Sequence, residues 1–134
     1  MDIPAVYSFL GFPGWAPVHL YLPRQGDPAG AALRLGAALE TCQANGQGPG
    51  GLVAGFLRCH RQAEPLGSPE FCRDCRYRYL IVYRPQGRWA LRITAWRHPI
   101  AQQGWRRRCG PIELDGFLRR FHPCRGTQRL VYSA

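Results

Sequence analysis

The sequence predicts an α+β fold, an antiparallel sheet with a central hairpin, and three observations carry it. Residues 77–83 and 88–96 are dense in strand formers and are separated by turn chemistry. Two stretches in the N-terminal half keep helical spacing, one after Asp27-Pro28 and one after Gly51. A third, short helix is marked by Leu114, Phe117, Leu118 and Phe121.

In chain order, residues 1–17 are rich in proline, glycine and aromatic residues and read as an arm packed on the core. Val18-His19-Leu20-Tyr21-Leu22 alternates with period two, a half-buried strand with Val18, Leu20 and Leu22 inward. Asp27 as N-cap and Pro28 in the first turn open a helix that carries Leu35, Ala38, Leu39 and Cys42. Asn45-Gly46 ends it. A second helix runs from Leu52 to Gln62, with Leu52, Phe56 and Cys59 or His60 on one face, and Pro65 stops it.

Arg84-Pro85-Gln86-Gly87 reads as the hairpin loop. A four-residue loop closing between Tyr83 and Arg88 sets Tyr79 opposite Arg92 and Leu80 opposite Leu91. Leu80, Val82, Trp89, Leu91 and Ile93 then belong to the core. Tyr77, Tyr79, Tyr83, Arg88, Arg92 and Trp96 form the outer face. Pro111 opens the last helix, and 129–132 reads as a final edge strand. The length suits one domain spanning 1–134.

Eighteen arginines and no lysine give a net charge of +10. Arginine makes flat, bidentate contacts with carboxylate and phosphate and stacks on rings. Such a field draws nucleic acid or acidic proteins. The N-terminus lacks the basic and apolar regions of a signal peptide, and no apolar stretch is as long as a bilayer span. The expected setting is intracellular, without a membrane partner, and Arg106-Arg107-Arg108 is a basic run of the kind read for nuclear import. The cysteines are therefore expected to be reduced.

Cys72-Arg73-Asp74-Cys75 has the spacing of a metal-chelating turn. The expected cofactor is a structural Zn²⁺ held by Cys72 and Cys75 with Cys59 or His60 and one distal ligand, for which His98 at the far end of the hairpin is preferred over Cys109 and over His122 or Cys124. The interleaved Tyr77, Tyr79, Tyr83, Arg88, Arg92 and Trp96, extended by Arg106, Arg107 and Arg108, are expected to bind RNA or single-stranded DNA by stacking and phosphate contact. An acidic protein partner is the alternative for the same surface.

Catalysis is not expected. The deaminase pattern fails because His60 is followed by Arg61-Gln62 rather than by a glutamate at the required place. No Gly-rich phosphate loop, nucleophile elbow or HExxH motif occurs, and no small-molecule substrate is evident. A cysteine-dependent enzyme using Cys72 or Cys75 is the third reading.

Phe56-Leu57-Arg58-Cys59-His60, a spacer, then Phe71-Cys72-Arg73-Asp74-Cys75 resembles the Cys/His-rich segment of two kinds of small-DNA-virus accessory protein. One is the adenoviral early-region-four adaptor to a cullin ubiquitin ligase. The other is the small nuclear nonstructural protein of bocaparvoviruses, which Pro13-Gly14-Trp15 also resembles. The resemblance implies a viral, zinc-stabilised nuclear protein without catalysis. It departs from the adaptor where an elongin-binding box needs an apolar residue, typically leucine, four places before a cysteine: Ala38 precedes Cys42, and Gly55 precedes Cys59.

Overall fold

The computed structural model describes residues 2–87, 89–99 and 104–123. Its strands are β1 (Ala5–Leu10), β2 (Val18–Leu22), β3 (Glu64–Leu66), β4 (Tyr77–Tyr83), β5 (Leu91–Arg97) and β6 (Arg106–Glu113). Its helices are α1 (Pro28–Ala44), α2 (Leu52–Cys59) and α3 (Leu114–Phe121). The strands form one sheet in the order β3-β2-β1-β4-β5-β6. Every neighbouring pair is antiparallel except β1 with β4, which is parallel. The fold is α+β with a mixed sheet, two helices in the N-terminal half and one short C-terminal helix.

The residues expected as a draped arm supply a central strand. Ala5-Val6-Tyr7-Ser8-Phe9-Leu10 is nearly continuous in apolar residues, as suits a strand in the middle of a sheet. It pairs with β2 on one side and β4 on the other. Ala5, Tyr7 and Phe9 join Leu20, Leu22, Tyr79, Ile81, Leu91, Ile93 and Ala95 in a core closed by residues of all three helices. The hydrophobic effect thus places the helices on one face of the sheet.

α1 begins behind Asp27 and ends at Asn45, as its capping residues indicate. α2 ends at Cys59, earlier than expected, and Pro65 sits in the edge strand β3, where a missing N–H is tolerated. α2 crosses α1 closely because Gly55 has no side chain: a Cβ there would lie 2.5 Å from the Ala38 carbonyl oxygen. The polar run 106–113 is the edge strand β6.

The hairpin register differs from the expected one. β5 starts at Leu91, so the connection is longer than four residues, and the Arg84 N–H donates to the Ala90 carbonyl at 2.8 Å. Tyr79 lies opposite Ala95, Leu80 opposite Thr94 and Tyr83 opposite Leu91. This odd slip turns β4 over. Tyr79 is buried, and Tyr77 and Tyr83 pack against the core. Leu80 and Val82 are half-buried on the other face, whereas Leu91 and Ile93 are in the core as expected. Arg88, Cys124 and the expected strand over 129–132 lie outside the described residues.

Candidate partner-binding face

The sheet face away from the helices is built in rows across the strands. One row reads Tyr21, Val6, Arg78, Trp96 and Arg107. The next reads His19, Ser8, Leu80 and Thr94, and a third reads Leu10, Val82 and Arg92. Alternation along each strand puts these side chains together. The rows set Val6, Leu10, Leu80, Val82 and Trp96 among three arginines and smaller polar residues.

A cavity of about 260 Å³ opens here, with Ser8, Leu80, Trp96 and Trp105 in its lining and Arg78 on its wall. The Ser8 hydroxyl and His19 Nδ1 share a hydrogen bond of 2.7 Å at its floor. A second cavity of about 220 Å³ continues along the strands past Leu80, Val82, Thr94 and Arg92 to Pro111. Leu80 lines both.

Arg78 stacks on Trp105 with its guanidinium carbon 4.2 Å from the ring centroid. Its nearest carboxylate is that of Glu70, 4.0 Å away and 67% exposed. Burial pulls the Arg78 pKa down, and Glu70 opposes this weakly. The Nε atoms of Arg78 and Arg92 are buried and find no hydrogen-bond partner. Glu113, the ladder partner of Arg92, makes no ion pair with it.

The expected nucleic-acid residues are therefore divided. Arg92 and Trp96 share the open face, with Arg107 beside Trp96. Tyr77, Tyr79 and Tyr83 face the helices, and the Tyr79 hydroxyl donates to the Gly26 carbonyl at 2.6 Å. Arg106 pairs with Arg97 at the edge, and Arg108 lies over Phe121 of α3 at 5.4 Å. Residues that the sequence reading missed here are Arg78, Leu80, Val82 and Trp105. The signal for Arg78, Leu80 and Val82 was the alternation of β4 itself, which reads correctly once Tyr79 is placed inward, whereas Trp105 precedes β6 and had no such signal.

The zinc site is corrected. Cys72 and Cys75 form a disulfide, so neither offers a thiolate to a metal ion, and the expectation of reduced thiols fails for this pair. An Asp74 oxygen and the two sulfurs lie within 4.8 Å of one another, a group that neither Cys59 nor His60 joins. The Cys59 thiol is 3.3 Å from the Thr41 hydroxyl. His60 accepts a hydrogen bond at Nδ1 from Arg34 Nη1, at 3.2 Å, which places its proton on Nε2. His98 does line the cleft beside the disulfide, with its ring edge-on to Trp105 at 5.2 Å. The zinc-stabilised reading, its cofactor and its ligand set are withdrawn on this ground. Burial pushes the free thiols of Cys42 and Cys109 up from their ordinary pKa, and Cys42 donates to the Gly48 carbonyl at 2.8 Å.

Among the described residues no helix is long and apolar enough to cross a membrane. Comparison with protein-family models, curated proteins and solved structures finds no match to this chain.

Proposed function

We propose that this chain is a non-catalytic binding module that takes an acidic protein partner on the open face of its sheet. The observation that carries the reading is the placement of Arg78 and Arg92 on one sheet face, where Arg78 has only the exposed Glu70 at 4.0 Å as a carboxylate neighbour and Arg92 makes no ion pair among the described residues. An exposed ion pair as long as that one holds a guanidinium only weakly, and a carboxylate arriving from a partner replaces it with a charge-assisted hydrogen bond. The net charge of +10 steers such a partner toward the chain.

The composition of the face favours protein over nucleic acid. Bases need free ring faces to stack on. Three tyrosines of β4 are turned to the core, and Arg78 occupies one face of Trp105. What remains between the arginines is Leu80, Val82 and Thr94, with Trp96 at one edge as an aromatic ring beside Arg78. An adaptor role and a nuclear setting belong to this reading. The latter rests on the exposed run Arg106-Arg107-Arg108.

The test is titration of a short glutamate-rich peptide into the full chain at several salt concentrations. Affinity should fall with salt and drop about tenfold or more when Arg78 and Arg92 are both changed to Gln, with circular dichroism unchanged. An affinity indifferent to both salt and the double change refutes the reading.

A further inference from the structure

The two arginines stand at opposite corners of the β4–β5 ladder. Arg78 is beside Trp96, Leu80 beside Thr94, and Val82 beside Arg92. Leu80 lines both cavities, so they join into one trough running along the strands. Arg78 and Val82 are four residues apart on one strand, which is about 13 Å at a strand's rise. Along the strands, the backbone positions of the two arginines are therefore separated by about the span of four extended residues, with Arg92 one strand over.

We propose that the trough takes an extended acidic segment with carboxylates at positions i and i+4 and an apolar side chain at i+2. This rests on the reading of the open face as an acidic-partner site, and it names the partner's sequence pattern. An extended segment has the same rise and the same period-two alternation as the sheet beneath it. Side chains at i, i+2 and i+4 therefore all point down. The first carboxylate meets Arg78, where the exposed Glu70 is a weak competitor at 4.0 Å. The last meets Arg92. The middle side chain lies over Leu80, where the two cavities meet. A helical segment does not fit this spacing, because four residues of helix rise only about 6 Å.

Charge complementarity selects the occupant. Arg84 lines the second cavity, and Arg107 extends the first row beyond Trp96. Both add positive potential along the trough without an apolar demand of their own. The segment's carboxylates supply charged acceptors for the two guanidinium groups, and its apolar residue removes half-buried aliphatic surface from water.

The experiment uses three fluorescent peptides of equal net charge and the full chain. The first carries Glu-Gly-Leu-Gly-Glu, the second has the same composition with its glutamates three apart, and the third replaces Leu by Gly. The first should bind about tenfold more tightly than either of the others, a difference of roughly 1.4 kcal/mol. Leu80→Asp should abolish the preference for Leu at the middle position. Because the peptides are compared on the unaltered protein, a variant that fails to fold does not decide the result. Equal affinity for all three, with Arg78 and Arg92 still required, overturns the spacing inference and leaves the acidic-partner reading standing. No affinity for any of them overturns both. Oligothymidylate of equal charge binding more tightly than every peptide, with the same arginine dependence, overturns the protein occupant in favour of a nucleic acid.

Discussion

The guanidinium carbon of Arg78 lies over the Trp105 ring, 4.2 Å from its centroid, while its buried Nε finds no hydrogen-bond partner. Stacking holds the side chain in place, with Nη2 donating to the Pro69 carbonyl at 3.5 Å and Nη1 4.0 Å from the exposed Glu70. A group arranged in this way has already lost the conformational freedom that binding would otherwise cost. The arginine is thus pre-organised for a planar acceptor, and carboxylate is the acceptor that matches its fork.

Arg78→Lys should therefore behave as a severe change. An ammonium neither stacks on the indole nor presents parallel donors. The expected outcome is at least about tenfold weaker binding of a glutamate-rich peptide, with a shift in stability under about 1 kcal/mol. Trp105→Ala should weaken binding in the same direction by releasing Arg78. Full affinity in both variants would show that the stacked pair has no part in recognition.

Reductant and chelator should act differently on this protein. Cys72 and Cys75 are joined, so thiol titration under denaturing conditions should find two more thiols after reduction than before. Chain-entropy reasoning gives so short a loop about 2 kcal/mol of stabilisation at most. Reduction should lower the melting temperature modestly, and Cys72→Ser should match the reduced protein. A chelator should change neither. A melting temperature that falls with chelator and is indifferent to reductant contradicts the disulfide.

The helical framework was legible in the sequence because its signals are local. Asp27-Pro28 and Asn45-Gly46 bracket α1, and Leu114, Phe117 and Leu118 space α3. The sheet was less legible because its order depends on distant pairing. β1 hides among prolines and makes a parallel contact with β4 some seventy residues on, a relation no local pattern encodes. β6 carries three arginines and Pro111, which an edge strand tolerates and a buried one does not. The candidate site suffered most. Loop length sets hairpin register, and an odd error there exchanges the two faces of β4. The Cys72-x-x-Cys75 spacing suits a metal and a disulfide equally, so only coordinates separate them.

Gly55→Ala should destabilise the fold. The new Cβ would lie 2.5 Å from the Ala38 carbonyl oxygen, a backbone atom that cannot swing aside. α2 would have to move off α1, loosening Phe56 and Leu52 in the core. Overpacking of this kind costs about 1–3 kcal/mol. Urea denaturation should show a lower midpoint at unchanged slope. A midpoint equal to that of the wild type would rule out so close a helix crossing.

His60 should make stability fall at mildly acid pH. Burial lowers its pKa from the ordinary value, and the Arg34 charge lowers it further. The unfolded chain therefore takes up the proton first as pH drops below about 6.5. The contribution is fully present above that pH and is lost as pH falls toward the lower, folded value. His60→Asn keeps an acceptor for Arg34 Nη1 and does not titrate, so its melting temperature should vary less between neutral pH and about pH 5. Identical pH profiles for the two proteins would remove His60 from this role.

Tyr79 gives the sharpest test of which way β4 faces. With Tyr79 outward, its hydroxyl would meet water, and Tyr79→Phe would change little. In the structure the side chain is buried, stacks on Tyr7 with centroids 5.2 Å apart, and donates its hydroxyl hydrogen to the Gly26 carbonyl at 2.6 Å. Burial also pushes its pKa far up, so the hydroxyl stays a donor at any ordinary pH. Removing the oxygen leaves the buried Gly26 carbonyl without this partner at the turn that leads into α1, a loss of about 1–3 kcal/mol. Tyr79→Phe should therefore lower the melting temperature while binding the glutamate-rich peptide as tightly as the wild type. Leu80→Ser, one residue along, should do the reverse and weaken the peptide with little cost in stability. The opposite pattern, a stable Tyr79→Phe with impaired binding, would return β4 to the other face and remove Arg78 and Leu80 from the site.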